Sequence, residues 1–491
     1  MDRLKLNQNR TPLFDALKEY INTQPTPFHV PGHKQGRGIL EFRDYIGEMA
    51  LKMDVNGMSD LDYFNNPTGV ILESEKLYAD AFGSEEAFFL VNGTSSGVQA
   101  MILSTCQPGD EIIIPRNAHR STLSGLILSG AKPIYVQPEI NQALGIAMGV
   151  TTKSILKAIE EHPHAKAVFI INPTYYGYTS DLRKIVELAH RNHMAVLVDE
   201  AHGPHMYFHG QFPLTAMAAG ADMSAASIHK TGGSLTQSSI LLLNGPRIPK
   251  DRVRKVLDLM NTSSASYLLM CSLDVARKQL ALNGEKMLSH TLEISNWARE
   301  EINKINHVYA FGEDLVGAPG CFDFDHTKLG IHVMNLGYTG FEIEDILRKQ
   351  YNIQVELADV YNILNIISLG DRKEDLERLI SALKDISFKN TKRSFENPIP
   401  VPSFTESKVY PREAFYSPRK CVKIETSIGM ISGETIMAYP PGIPILCMGE
   451  VITKEIIAYL KELRSQKCHI QGNTDMTLEY IHILEPSSYP L

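Results

Sequence analysis

Five apolar runs, at residues 88–91, 112–114, 133–136, 167–171 and 195–198, recur between helix-length segments, and this rhythm constrains the fold more than any other feature of the chain. Short runs without polar alternation suit strands buried on both faces, which need helices above and below them. The expectation is an α/β domain with a mainly parallel sheet. Ligands of such open sheets bind beyond the carboxyl ends of the strands, so the residues that follow each run are the first place to look for chemistry.

With 491 residues, 43% of them hydrophobic, the chain has material for two or three domains. Leu13, Leu17 and Ile21 mark an amphipathic helix in an N-terminal arm, 1–30, ahead of a large domain, 31–275. A long polar helix at 284–304, a strand at 331–334 and a helix at 341–349 suggest a smaller α+β domain, 276–387. A polar stretch with Pro398, Pro400 and Pro402 reads as a linker, 388–408, before a C-terminal domain, 409–491. The net charge of −8, from 48 basic and 56 acidic residues without long like-charge blocks, argues against a nucleic-acid partner. Six cysteines show no metal-ligand spacing and fit reduced thiols. The N-terminus has no apolar signal core, and no stretch approaches the roughly eighteen apolar residues of a membrane span, so a cytoplasmic protein is expected.

Chemistry gathers after the strands. The run at 195–198 ends in Asp199-Glu200-Ala201-His202-Gly203, and further on comes Ser227-Ile228-His229-Lys230-Thr231-Gly232-Gly233. A lysine that sheds its proton can capture an aldehyde, and a buried aspartate can hold a pyridine proton; Lys230 and Asp199 therefore suit pyridoxal 5'-phosphate. Alone, the same residues read as a solvated loop lysine and a helix cap. Asn92-Gly93-Thr94-Ser95-Ser96-Gly97 follows a strand and opens a helix, a setting for a phosphate or simply for a capped helix. His119 follows the next strand, where an imidazole can lie flat on an aromatic ring or serve as an ordinary loop residue. Asn172-Pro173-Thr174-Tyr175-Tyr176-Gly177 offers a cofactor-side wall or packing tyrosines.

Taken in order with Phe28-His29-Val30-Pro31-Gly32-His33 and Tyr439-Pro440-Pro441-Gly442-Ile443-Pro444, these motifs resemble the ornithine/lysine/arginine decarboxylases of fold type I over nearly the whole chain. The nearest likeness is to the short bacterial biosynthetic arginine decarboxylases, since the cofactor domain begins almost at once and leaves no room for the N-terminal wing of the longer acid-induced enzymes. The resemblance implies Lys230 as the Schiff-base residue, Asp199 at the pyridine nitrogen and His119 on the ring. It places Thr94, Ser95, Ser96 and Ser227 at the phosphate. It puts His202 at the ring's phenolic oxygen and His229 where the substrate carboxylate leaves. Ser263 and Ser264, in the segment 262–267, would reach the phosphate of the other subunit of a homodimer or higher even oligomer, although Ala265 stands where a proline is common. The implied reaction is decarboxylation of a basic amino acid, arginine to agmatine and CO2, in polyamine biosynthesis, with lysine or ornithine as the alternative. A cationic side-chain terminus needs a carboxylate, for which Glu434, Asp359 and Glu356 are candidates. An aminotransferase or aldolase of the same fold, or a non-catalytic regulatory homologue, remains open.

Overall fold

A computed structural model describes residues 6–389, 402, 405–438, 443–466 and 468–485. Residues 439–442 of the proline motif and most of the 388–408 linker lie outside these. Every apolar run is a strand: β1 (Glu86–Leu90), β2 (Glu111–Pro115), β3 (Lys132–Val136), β4 (Ala167–Ile171) and β5 (Ala195–Asp199). Two further strands, β6 (Met223–Ala226) and β7 (Ser239–Leu243), flank Lys230 and are missing from the sequence reading. β6 is Met-Ser-Ala-Ala, without β-branched or aromatic residues to announce it.

The chain forms two compact units, Met1–Thr105 with Ala195–Leu288, and Cys106–Met194 with Ser289–Leu491. In the first, strands run β1-β7-β6-β5; β5 and β6 are parallel, while β7 is antiparallel to β6 and β1. Between β6 and β7 lies only the one-turn helix Ile228–Thr231, too little to cross over a sheet, so β7 returns antiparallel. In the second unit β4-β2-β3 is wholly parallel. The α/β class with a mainly parallel sheet is therefore correct: in the first unit β7 alone runs against the others, and β1, antiparallel to β7, runs the same way as β6 and β5.

The helix Gly93–Thr105 lies close on the first unit's strands. A Cβ at Gly97 would sit 2.7 Å from Leu90 Cδ1 and 2.9 Å from Ala225 Cβ, so this approach needs glycine. The N-terminal helix Pro12–Asn22 buries Leu13 and Leu17 completely. Its first turn is capped from afar, because the N–H groups of Leu13 and Phe14 donate to Asp274 Oδ2 at 3.1 and 3.3 Å. Arg277, paired with Asp274 in the interior, donates to the carbonyls of Gln8 and Arg10. Both belong to the 36-residue helix Tyr267–Ile302, of which the sequence pattern showed only the polar C-terminal part.

The second unit also holds a four-stranded antiparallel sheet built around Lys328–His332 and Asn362–Ile366. A separate core, with Ile436, Leu446, Ile456, Leu460 and Ile483, lies in its C-terminal part. All six cysteines are free thiols. Among the described residues no helix is long and apolar enough to cross a membrane.

Candidate functional site

The apolar residues of β5 are buried along their whole length, and the strand delivers Asp199, 6% exposed, at its carboxyl end. Burial pushes the Asp199 carboxyl above its ordinary pKa, opposed by the N–H of Ala201, 3.0 Å from Oδ1, and by the charge of Lys230. The turn that follows is fixed by Glu200, which is fully buried. Its Oε1 accepts from Ala216 N–H at 2.7 Å, and its Oε2 accepts from Ser224 Oγ at 2.6 Å and from the Tyr207 hydroxyl. That turn presents His202, buried, with Nε2 2.8 Å from Lys230 Nζ. A charged lysine only donates, so His202 Nε2 is the acceptor whenever Lys230 carries its proton.

Lys230 stands on the one-turn helix that opens after β6. Its neighbour His229 places Nδ1 2.9 Å from the carbonyl of Ser238, which fixes that nitrogen as a donor and leaves proton exchange by the ring to Nε2. Ser227 Oγ lies 2.6 Å from Thr94 Oγ1, and Thr94 Oγ1 also reaches Ser239 Oγ at 3.0 Å. Thr94 is at the start of the helix Gly93–Thr105, whose first N–H groups have no intrahelical carbonyl. Ser95 beside it is exposed, whereas the Ser96 hydroxyl turns back to the Gly93 carbonyl at 2.8 Å. One unit thus brings together Lys230, His202, Asp199, His229, Thr94, Ser95 and Ser227. Ser238, Ser239 and Glu200 take part without having been assigned a role from the sequence. The only available signal for the serines was their position at the head of the apolar run of β7.

Ser263 and Ser264 are exposed on the loop before the helix Tyr267–Ile302, with Ser264 N–H donating to Thr262 Oγ1 at 3.1 Å. His119, in the second unit, caps the helix Arg120–Ser129, its side chain accepting from Ser121 N–H. The three acidic candidates differ sharply. Glu434 is buried, with Oε1 accepting from Thr474 N–H and His482 Nδ1, both at 2.9 Å. Asp359 caps its own turn, accepting from Tyr361 N–H at 2.7 Å and Asn362 N–H at 2.8 Å as well as from the Tyr176 hydroxyl; burial raises its pKa. It borders an apolar cavity of about 150 Å³ together with Asn117, Tyr176 and Pro444. Glu356 alone is exposed, and its carboxylate makes no hydrogen bond or ion pair among the described residues.

Known proteins supply the context. Residues 11–375 match the model of the Orn/Lys/Arg decarboxylase major domain, and residues 388–476 match that of the Orn/Lys/Arg decarboxylase C-terminal domain. An arginine decarboxylase of Bacillus anthracis is 44% identical over 485 residues, covering 98% of each chain. An arginine decarboxylase of Bacillus subtilis is 44% identical over 484 residues, covering 98% of this chain and 99% of the relative. In fold, the lysine decarboxylase of Francisella novicida superposes with a TM-score of 0.85 at 21% identity, over 97% of this chain and 81% of that one. Both domain models match in the order the motifs predict, and the likeness runs end to end: the chain belongs to the Orn/Lys/Arg decarboxylase family.

Proposed function

We propose that this enzyme is a pyridoxal phosphate-dependent decarboxylase of L-arginine, releasing CO2 and agmatine. The observation that carries this reading is the 2.8 Å contact of Lys230 Nζ with His202 Nε2 in the unit that also buries Asp199 at the end of β5. The residues fit the cofactor. A buried carboxylate whose pKa is raised gains from a ring N–H as its partner, and the hydroxyls of Thr94, Ser95 and Ser227 at a helix start suit a dianion. Bound there, pyridoxal phosphate supplies an aldehyde for amine capture and a ring that accepts the electron pair left as CO2 departs.

The chain's own residues do the rest. Lys230 would hold the aldehyde, which calls for its neutral amine; His202 Nε2 is placed to take the proton. Asp199, as the carboxylate, would hold the ring nitrogen and favour a proton there. His119 would hold the ring's face, and Ser96 braces the helix start through the Gly93 carbonyl. His229 Nε2 or Lys230 Nζ returns a proton to the carbon that lost CO2, so each turnover consumes one proton.

For the guanidinium we choose Glu356. Glu434 and Asp359 already satisfy internal donors, whereas Glu356 has both oxygens available for the bidentate contact that a planar guanidinium favours. Glu356→Gln lowers kcat/KM for arginine by roughly 10- to 100-fold, in line with a lost charged hydrogen bond of about 1.5–3 kcal/mol. Steady-state kinetics with arginine decide it, and a change under about twofold rejects this assignment. The 44% identity to two arginine decarboxylases supports arginine over lysine or ornithine.

The same reading makes the active enzyme cytoplasmic and at least a homodimer, as a dimer or a higher even oligomer, serving polyamine biosynthesis. Exposed Ser263 and Ser264 are free to reach another subunit. The helix Leu40–Ile46 buries no residue, and its Leu40, Phe42 and Tyr45, like Phe28 at 92% exposure, are large apolar side chains open to a second copy. The domain boundaries at 31–275, 276–387 and 409–491 belong to this proposal.

A further inference from the structure

We infer that the buried ion pair of Arg116 with Glu450 is a positioning device through which the C-terminal segment holds the His119 loop. This rests on the proposed role of His119 at the cofactor ring. Arg116 follows β2 directly and lies three residues before His119, while Glu450 is 334 residues further along the chain. Arg116 Nε and Nη2 donate to Glu450 Oε1 and Oε2 at 2.9 and 2.8 Å, and Nη1 donates to the carbonyl of Pro444 at 2.7 Å. Glu450 Oε2 also accepts the N–H of Cys447 at 2.7 Å, so the segment 444–450 curls around one guanidinium. Both side chains are 1% exposed.

A buried ion pair contributes little net stability compared with apolar packing, because desolvation offsets the attraction. What the planar fork adds is direction: three donors in fixed geometry allow one orientation of the partner segment. The residues leading to His119 are anchored in turn. Arg116 N–H donates to the Val136 carbonyl at 2.9 Å, Ala118 N–H donates to the Pro115 carbonyl at 3.1 Å, and Asn117 Nδ2 reaches the Met148 carbonyl at 3.4 Å. His119 then caps the helix Arg120–Ser129, so the setting of that helix sets the imidazole.

The far end of the same helix is held by the C-terminal part as well. The helix Pro411–Tyr416 packs on it, and Arg412 Nη1 donates to the Leu128 carbonyl at 3.5 Å. A Cβ at Gly130, the C-cap, would come within 2.9 Å of Arg412 Nη1. Residues 411–416 and 444–450 therefore hold the His119 helix from both ends, which gives the C-terminal domain a part in the chemistry although it supplies none of the reacting groups proposed above.

The test uses the cofactor-loaded enzyme with Arg116→Lys, Glu450→Gln, His119→Ala and the two double variants. It reads kcat, KM, the visible absorption of the bound cofactor and the melting temperature. Each clamp variant is expected to lower kcat about tenfold with KM within about twofold, to move the absorption band as His119→Ala does, and to add nothing further in the His119→Ala background. Clamp variants that lower only the melting temperature, that multiply with His119→Ala, or that both fail to fold would mark the pair as a stability element and overturn the inference. His119→Ala with unchanged band and kcat would instead reject the stacking role itself, and the inference with it.

Discussion

Lys230→Ala abolishes turnover, by at least about ten-thousandfold, and removes the visible absorption that bound pyridoxal phosphate gives the wild-type protein. Alanine leaves no amine at the end of the one-turn helix, and the nearby imidazoles of His202 and His229 cannot form the same covalent link. The substitution is confined to a half-buried side chain, so the fold persists and the loss is chemical. The same variant tests the shared site. Mixed with Ser263→Asp/Ser264→Asp, which on the proposed shared site would repel the other subunit's phosphate, it should recover about a quarter of wild-type activity, since half of the randomly exchanged dimers carry one intact site. No recovery after exchange verified by mass would mean that each subunit is self-contained.

Asp199→Asn keeps the cofactor bound through Lys230 and the phosphate turn but lowers kcat on the order of a thousandfold, about 4 kcal/mol of lost transition-state stabilisation. The amide is nearly isosteric and can still accept from the Ala201 N–H, so the turn stays in place. It cannot hold a proton on a ring nitrogen by charge. Because burial already raises the Asp199 pKa, the uncharged amide also removes a desolvation cost, and the melting temperature should hold or rise. Single-turnover rates with absorption spectra check this, and a kcat within about tenfold of wild type would separate Asp199 from the chemistry.

Much of the fold was legible in the sequence because strand burial is local. The five apolar runs are strands, and Asp199 emerges at the end of β5 as that periodicity implies. The Lys230 loop was found from its residues, yet the strands on either side of it were not. Met-Ser-Ala-Ala in β6 is stabilised by its neighbours and has no pattern of its own. Long-range polar partnerships were equally invisible. Nothing near Asp274 says that it caps a helix 260 residues earlier, and nothing near Arg116 points to Glu450. Three acidic candidates were equivalent as letters, but their hydrogen bonds separate Glu434 and Asp359, held by internal donors, from the exposed Glu356.

The central claim is tested most directly by incubating the purified protein and pyridoxal phosphate with carboxyl-labelled arginine, and with lysine and ornithine in parallel, while collecting CO2 and identifying the amine. Labelled CO2 should appear mole for mole with agmatine, and kcat/KM should be highest for arginine. A higher value for lysine or ornithine would overturn the substrate, and a keto acid formed without CO2, or no turnover at all, would contradict the decarboxylase account.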